Sequence, residues 1–357
     1  NLIDSSNQNF DHIIICLSSQ ASYTKDFIKK NIKVFHLKGN NILETPIVFL
    51  KFIKILKKIK PDIIQSWLYH SDLLVCLSKI IFKKKIPIIW SIHHASKTLN
   101  GESFHTKICL RFLVALSYII PDFIIYCSKI SQQVHHNFGY KKNNSKIIFN
   151  SVNDAQFFDS NKLRQKCRND LFLNEKDFLI GLIARNDPNK GIDVFFEMAN
   201  YLALKNPEFK FLACGENIIE KELQILRKLT NLEVNKNLFL FGEVESTQEI
   251  LNSLDLLICP SRYESFGLVA LESIFCNTPV LGSNIDAFKN FLVNPFIVSK
   301  FNSMSFAKSV LNLYHGGYFY NDKTFRNLKL QITGKYSIKN MQEEYYKIYK
   351  IILEYKN

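Results

Sequence analysis

Short unbroken apolar runs alternate with longer amphipathic stretches along most of this chain. The runs HIIICLS (12–18), VFHLK (34–38), DIIQSW (62–67), IPIIWSI (86–92), DFIIYCS (122–128) and KIIFNS (146–151) have strand length and little polar interruption. A polar, irregular stretch follows at 153–177. The rhythm then resumes with FLIGLIAR (178–185), FKFLACG (209–215), NLFLFG (237–242), DLLICPS (255–261) and PVLGS (279–283). Strands apolar throughout are buried on both faces, and helices between them mean parallel pairing. The pattern predicts an α/β protein of two doubly wound, Rossmann-like domains, 1–155 and 156–334. Ligands of such sheets bind outside the carboxyl ends of the strands. A last segment, 335–357, has strong helical periodicity.

Composition changes this picture little. The chain has 357 residues, 47% hydrophobic and 22% charged, which is globular and large enough for two domains. Its eight cysteines form no C-x-x-C pair and several lie in strand-like runs, pointing to buried free thiols. No apolar run reaches the roughly 18 residues of a membrane span, and FLVALSYII is stopped by Pro121. Charge is more informative. Residues 1–150 hold 21 Lys+Arg against 8 Asp+Glu, a net +13, whereas the remainder holds 25 against 24, a net +1. An anionic partner for the first half follows, a lipid surface or a phosphorylated acceptor. No nucleic-acid-binding module accompanies the charge, so nucleic acid is not expected. In 46–60, Lys51, Lys54 and Lys58 share one side of a helical pattern, Phe49, Leu50, Phe52, Ile53, Leu56 and Ile59 supply apolar surface, and Lys83-Lys84-Lys85 adds a second cluster. An ordinary covering helix with solvated lysines would read the same way.

Candidate chemistry lies at the strand ends. GLIARNDPNKG places Arg185 at the end of a strand and Lys190 before a helix, where two cations suit a diphosphate or are simply solvated. The glycines of CGEN and FGEV, Gly215 and Gly242, allow close backbone approach. PSRYESFGLVALE (260–272) puts Glu264 in a strand-to-helix turn and Glu272 on the following helix. Eight helical residues rise about 12 Å, so the two carboxylates suit opposite ends of one extended ligand.

The ordered set of Arg185, Lys190, the strand-end glycine, FGEV, PSRYESFGLVALE and TPVLGS resembles the family-4 retaining glycosyltransferases of the GT-B fold, whose E-x7-E signature is intact as Glu264 and Glu272. SWLYHSDLL, IIWSIHH and IIYCSKISQQV resemble the bacterial surface-polysaccharide members. The resemblance implies two domains facing a cleft, with the C-terminal helix crossing back to the first. It implies a nucleotide-diphosphate sugar donor of UDP or GDP type and a lipid-linked or surface-glycan acceptor. Work at the cytoplasmic face of an anionic membrane is expected, with neither metal nor cofactor. Carried over by residue, Glu264 holds donor-sugar hydroxyls, Glu272 the ribose, and Arg185 and Lys190 the diphosphate. Gly215, Gly242 and Val244 line the donor, while Ser265, Phe266, Gly267 and Leu268 meet it at the helix start. Gly267 would be glycine because a side chain would block the ligand. His93, after IIWSI, is implied in turnover and His70 in acceptor binding.

Some positions depart from the family pattern. Asn150-Ser151-Val152-Asn153 stands where Asn-Gly-Val-Asp is usual, and Asn277 where the helix after E-x7-E commonly ends in glycine; asparagine also tolerates the left-handed conformation, so the cap is expected to survive. The opening NLIDSSNQNFDHIIICLS resembles the tail of a first helix and a second strand, so roughly 25–35 residues are expected ahead of it. A nucleotide-sugar epimerase of similar fold and a non-catalytic nucleotide-sugar-binding protein remain as alternatives.

Overall fold

The computed structural model describes residues 2–3, 10–17, 24–38, 45–81, 86–94, 104–317 and 322–354. Its contacts divide the chain into two units, one running to Phe149 and returning from Met341, the other Asn150–Asn340. The first begins with β1 (Ile13–Cys16), α1 (Thr24–Lys29), β2 (Lys33–His36), α2 (Thr45–Ile59) and β3 (Ile64–Trp67). It continues through α3 (Tyr69–Ile81), β4 (Ile88–Ile92), α4 (Phe104–Leu116), β5 (Phe123–Tyr126), α5 (Lys129–Phe138) and β6 (Ser145–Ile147). The second holds α6 (Asn161–Asp170), β7 (Phe178–Ile183), α7 (Ile192–Lys205), β8 (Phe209–Cys214), β9 (Leu238–Phe241) and α8 (Thr247–Ser253). There follow β10 (Leu256–Cys259), α9 (Leu268–Phe275), β11 (Val280–Ser283), α10 (Asp286–Lys289), β12 (Ile297–Val298), α11 (Ser303–Gly316) and α12 (Lys323–Lys335). Helix α13 (Ile338–Glu354) returns the chain to the first unit.

Each of the eleven apolar runs overlaps a strand, and all strand pairings among the described residues are parallel. The two-residue β12 was too short for its pattern to register. In the first unit β1 pairs with β2, while β3-β4-β5-β6 form a separate sheet in sequential order. Side chains of the central strands alternate between two cores, as the two-residue strand period requires. Ile88, Trp90 and Ile92 of β4 face a layer that includes α2, α3 and α4 residues, while Ile89 faces the Met341, Tyr345 and Tyr349 side of α13. The second unit orders its strands β12-β11-β10-β7-β8-β9. Counted from β7 this is the doubly wound order 3-2-1-4-5-6, whose reversal falls between β7 and β10.

The stretch 153–177 is not irregular throughout, because α6 lies within it. Its inward face is Leu163, Arg164, Cys167 and Arg168, so basic residues stand where apolar ones would mark a helix. Asp255, 5% exposed at the foot of β10, takes ion pairs from Arg164 at 2.5 Å and Arg168 at 3.1 Å and accepts the Leu179 amide at 2.7 Å. Buried charge is tolerable when paired and hydrogen-bonded in this way. The network ties α6 to the β7–β10 junction at the end opposite the candidate ligand site.

In the first unit the exposed side of α2 carries Lys51, Lys54, Lys57 and Lys58, while Val48, Phe52, Ile53 and Leu56 are buried. Leu50, expected among the apolar positions, is 67% exposed beside the lysines. The 83–85 lysine cluster lies outside the described residues. All eight cysteines are free, seven of them buried. Among the described residues no helix is long and apolar enough to cross a membrane.

Candidate functional site

Strands β7 and β10 are hydrogen-bonded neighbours, with Ile180 opposite Leu256 and Gly181 opposite Leu257. The loops leaving their carboxyl ends must therefore run side by side. The β7 loop carries Arg185 and turns through a short 3-10 segment, Pro188–Lys190, capped by Asp187 and closed by Gly191 at φ +65°. The β10 loop carries Ser261, Arg262 and Glu264 and ends at Gly267, which caps α9.

The two loops are locked together. Arg262 donates its amide to Asn189 O at 2.8 Å and its guanidinium to Pro188 O at 2.7 Å and Asp193 Oδ1 at 2.8 Å. A Cβ on Gly191 would sit 1.8 Å from Pro260 O, so only glycine permits this approach. The result is that Lys190 and Glu264, 74 positions apart, form an ion pair at 2.5 Å with side chains only 25% and 12% exposed. The Ser261 hydroxyl donates to the same carboxylate oxygen at 3.2 Å. Glu264 Oε2 takes no part in these contacts. The expected sugar ligand and the expected phosphate ligand thus hold each other. Arg185 behaves differently: it is exposed and paired with Asp187 at 2.9 Å on its own loop.

Helix α9 begins at Gly267, φ +88° and ψ 51°, with no side-chain cap. Its first backbone N–H groups have no acceptor within the helix and sit at the positive end of the dipole. Gly267 has an internal reason the sequence did not reveal: a Cβ there would come within 2.6 Å of the Phe288 ring. Phe266 is buried with its ring edge-on to Tyr336, so its side chain is structural. Ser265 is half-buried, and Leu268 leaves 39% of its surface exposed at the helix start. Asn277 takes the left-handed conformation at φ +65°. The Thr278 amide bonds to Ser273 O at 2.9 Å and the Asn277 amide to Ile274 O at 3.0 Å, closing the helix as a glycine would.

Glu272, on the second turn of α9, is half-buried, and among the described residues no cation or hydrogen-bond donor engages its carboxyl. Desolvation raises its pKa from 4.5 to about 7. A carboxyl whose folded pKa is raised holds its proton longer folded than unfolded. Its contribution to stability is therefore most favourable below the unfolded value and is lost as pH rises from about 4.5 to about 7. Each pH unit in that window is worth about 1.4 kcal/mol. Glu272→Gln should accordingly gain stability on wild type as pH rises from 5 to 8, read by urea unfolding. A constant difference between the two proteins across that range would show that the carboxyl is not desolvated.

Gly215 ends β8 at φ +140°, and a Cβ there would lie 2.0 Å from Ala184 O, in the loop that carries Arg185. Gly242 is less constrained, with Ile219 Cγ2 at 3.5 Å as the nearest contact. Val244 is half-buried in the loop after β9. In the first unit, His93 follows β4 and is half-buried; desolvation lowers its pKa to about 4, so its imidazole is neutral at pH 7. His70 is exposed in the first turn of α3. The Ser261 and Arg262 contacts went unassigned from sequence although both residues stand in the PSRYESFG stretch. Arg262 pairs with Asp193 on a helix 69 positions away, and nothing local signals that.

Comparison with known proteins bears on what this arrangement does. The family model Glycosyltransferase Family 4 matches residues 6–156, and Glycosyl transferases group 1 matches residues 164–327. The capsular polysaccharide biosynthesis glycosyltransferase CapM of Staphylococcus aureus is 24% identical over 374 residues, covering 97% of this chain and 91% of CapM. The O-antigen biosynthesis glycosyltransferase WclY of Escherichia coli is 27% identical over 229 residues, 64% of this chain and 62% of WclY. Among solved structures, HepE of Anabaena in complex with UDP-glucose aligns with a TM-score of 0.81 at 18% identity, covering 95% of this chain and 91% of HepE. A glycosyltransferase from Rickettsia africae aligns at 0.77 and 18% identity, covering 96% and 90%. At these identities the structural likeness carries the fold alone.

Proposed function

The chain belongs to the family-4 glycosyltransferases, and on that premise we propose that it moves a sugar from a nucleotide-diphosphate sugar to a lipid-linked or surface-glycan acceptor, with retention of anomeric configuration. The observation that carries the reading is the Lys190–Glu264 pair at the joined ends of β7 and β10, beside the uncapped start of α9. The donor is of UDP or GDP type in this reading, and the UDP type is in keeping with HepE, which was solved with UDP-glucose. The similarity to CapM and WclY supports a role in capsular or O-antigen glycan synthesis.

In this proposal the diphosphate takes the Lys190 ammonium, the Arg185 guanidinium and the first amides of α9, which stabilise charge as the phosphate leaves. Released from Lys190, Glu264 accepts hydrogen bonds from donor-sugar hydroxyls. The ionised Glu272 carboxylate accepts the ribose hydroxyls, so donor affinity should rise as pH passes about 7. The bond from the anomeric carbon to the phosphate oxygen breaks as the acceptor oxygen bonds on the same face. The acceptor's proton passes to the departing phosphate oxygen. His93, neutral at pH 7, supports turnover by hydrogen bonding and not as a cationic acid. Neither metal nor cofactor is called for in this scheme. His70 is assigned to the acceptor. The α2 lysines would draw the protein to anionic lipid at the cytoplasmic face of a membrane, an attraction that salt weakens.

Incubation with UDP-, GDP- and ADP-sugars, followed by NMR of the anomeric proton, tests the reading. Transfer or slow hydrolysis with an unchanged anomer is expected; an epimerised sugar, an inverted product or binding without turnover would contradict it. Glu264→Gln keeps the shape but weakens both the Lys190 pair and the sugar contact. It should lower the transfer rate about 10- to 100-fold, the range for one charged hydrogen-bond partner. A Glu264→Gln enzyme with wild-type turnover would remove Glu264 from the sugar site.

A further inference from the structure

Helix α4 has an outer face unlike that of an ordinary covering helix. Its inner side is conventional: Cys109, Leu110 and Leu113 are buried in the core shared with α2, α3 and β4. Its outer side exposes Phe104 by 72%, Ile108 by 36% and Phe112 by 61%. These positions are four residues apart and stack into one stripe along the helix. Past the helix end, Tyr118 is 59% and Ile119 74% exposed, and Leu77 of the adjacent α3 adds a further 38%-exposed apolar side chain. Scattered single apolar residues are normal on a surface; a stripe of large ones marks an interaction site.

Charge identifies the occupant. Helices α2, α3 and α4 contribute to one core on the same side of the first unit's sheet. Together they carry seven basic residues (Lys51, Lys54, Lys57, Lys58, Lys79, Lys107 and Arg111) and one acidic residue, Asp72, which is fully buried. A layer that presents large apolar groups among cations, with no exposed carboxylate on its helices, complements an anionic lipid surface. A second copy of the chain is a poor fit, because it would set cation against cation. The 13 residues of α4 rise about 20 Å, short of the roughly 30 Å hydrocarbon core, so the helix suits the bilayer interface and does not span it.

We propose that the outer stripe of α4, extended by Tyr118 and Ile119, inserts into the interface of an anionic bilayer while the α2 lysines contact its headgroups. This deepens the membrane reading given above by adding an apolar component that salt does not screen. The experiment is co-flotation of the full chain with vesicles of phosphatidylcholine alone and with added phosphatidylglycerol, at about 0.1 M and about 0.5 M salt, where the screening length falls well below its roughly 10 Å at the lower value. The wild-type chain should float with the anionic vesicles and keep a salt-resistant fraction. Phe112→Ser combined with Ile119→Ser should lower partitioning about tenfold or more and remove that fraction. Lys51→Gln with Lys54→Gln and Lys58→Gln should reduce only the salt-sensitive part. Because the serine positions are exposed, the thermal unfolding midpoint should not fall. Flotation of the double serine variant at wild-type level would overturn the proposal. So would a wild-type dimer that the same substitutions disperse without any vesicle binding. UDP binding, measured in parallel, keeps a failure here separate from a failure of the glycosyltransferase reading.

Discussion

Lys190→Ala should lose about 10- to 100-fold in affinity for UDP while its affinity for uridine changes less than about twofold, as read by calorimetry. The expected factor is that of one charge-assisted hydrogen bond to a phosphate in a partly desolvated position. Lys190 is only 25% exposed at its side chain, so packing already limits its rotamers and little ordering remains when the phosphate arrives. Arg185→Ala should have the same direction and a smaller size. Its side chain is 63% exposed and, among the described residues, anchored only to Asp187 within its own loop. Equal losses for UDP and uridine in the Lys190 variant would show that the substitution had disturbed the loop as a whole and that Lys190 is not a phosphate ligand.

Gly191→Ala is the second large effect, and it acts through the backbone. Two costs combine at this position. The residue sits at φ +65°, where an L side chain costs about 1–2 kcal/mol. Its Cβ would also overlap Pro260 O at 1.8 Å, a backbone atom with no rotamer to change. The β7 and β10 loops must then part, and the Arg262 contacts and the Lys190–Glu264 pair open with them. A loss of about 2–4 kcal/mol in urea unfolding is expected, together with loss of UDP binding. Gly317→Ala provides the comparison: φ is +68°, but nothing lies within 4 Å of the added atom. That variant should show the conformational cost alone, about 1–2 kcal/mol, with UDP binding intact. Similar losses in the two variants would mean that the close approach to Pro260 is not a constraint in solution.

The contrast between these glycines marks where sequence stops being informative. The apolar runs determined the strands, because a strand buried on both faces must be apolar throughout, and that requirement is local. The doubly wound class followed from the same runs, and the E-x7-E stretch located Glu264 and Glu272. The left-handed closure at Asn277 was also legible, since asparagine tolerates that conformation. Helix α6 was not legible, because Arg164 and Arg168 occupy its inward face and become acceptable there only through Asp255, some ninety residues away. For the same reason the outer stripe of α4 could not be told from its core face: both are apolar, and only the neighbours decide which one is covered. The desolvation of Glu272 was hidden too, since a helical glutamate carries no local sign of burial. The pairing of Lys190 with Glu264 was decided by strand order. Placing β10 beside β7 sets two loops 74 residues apart against each other, and hydrophobic periodicity specifies that a strand is buried without specifying which strand lies next to it.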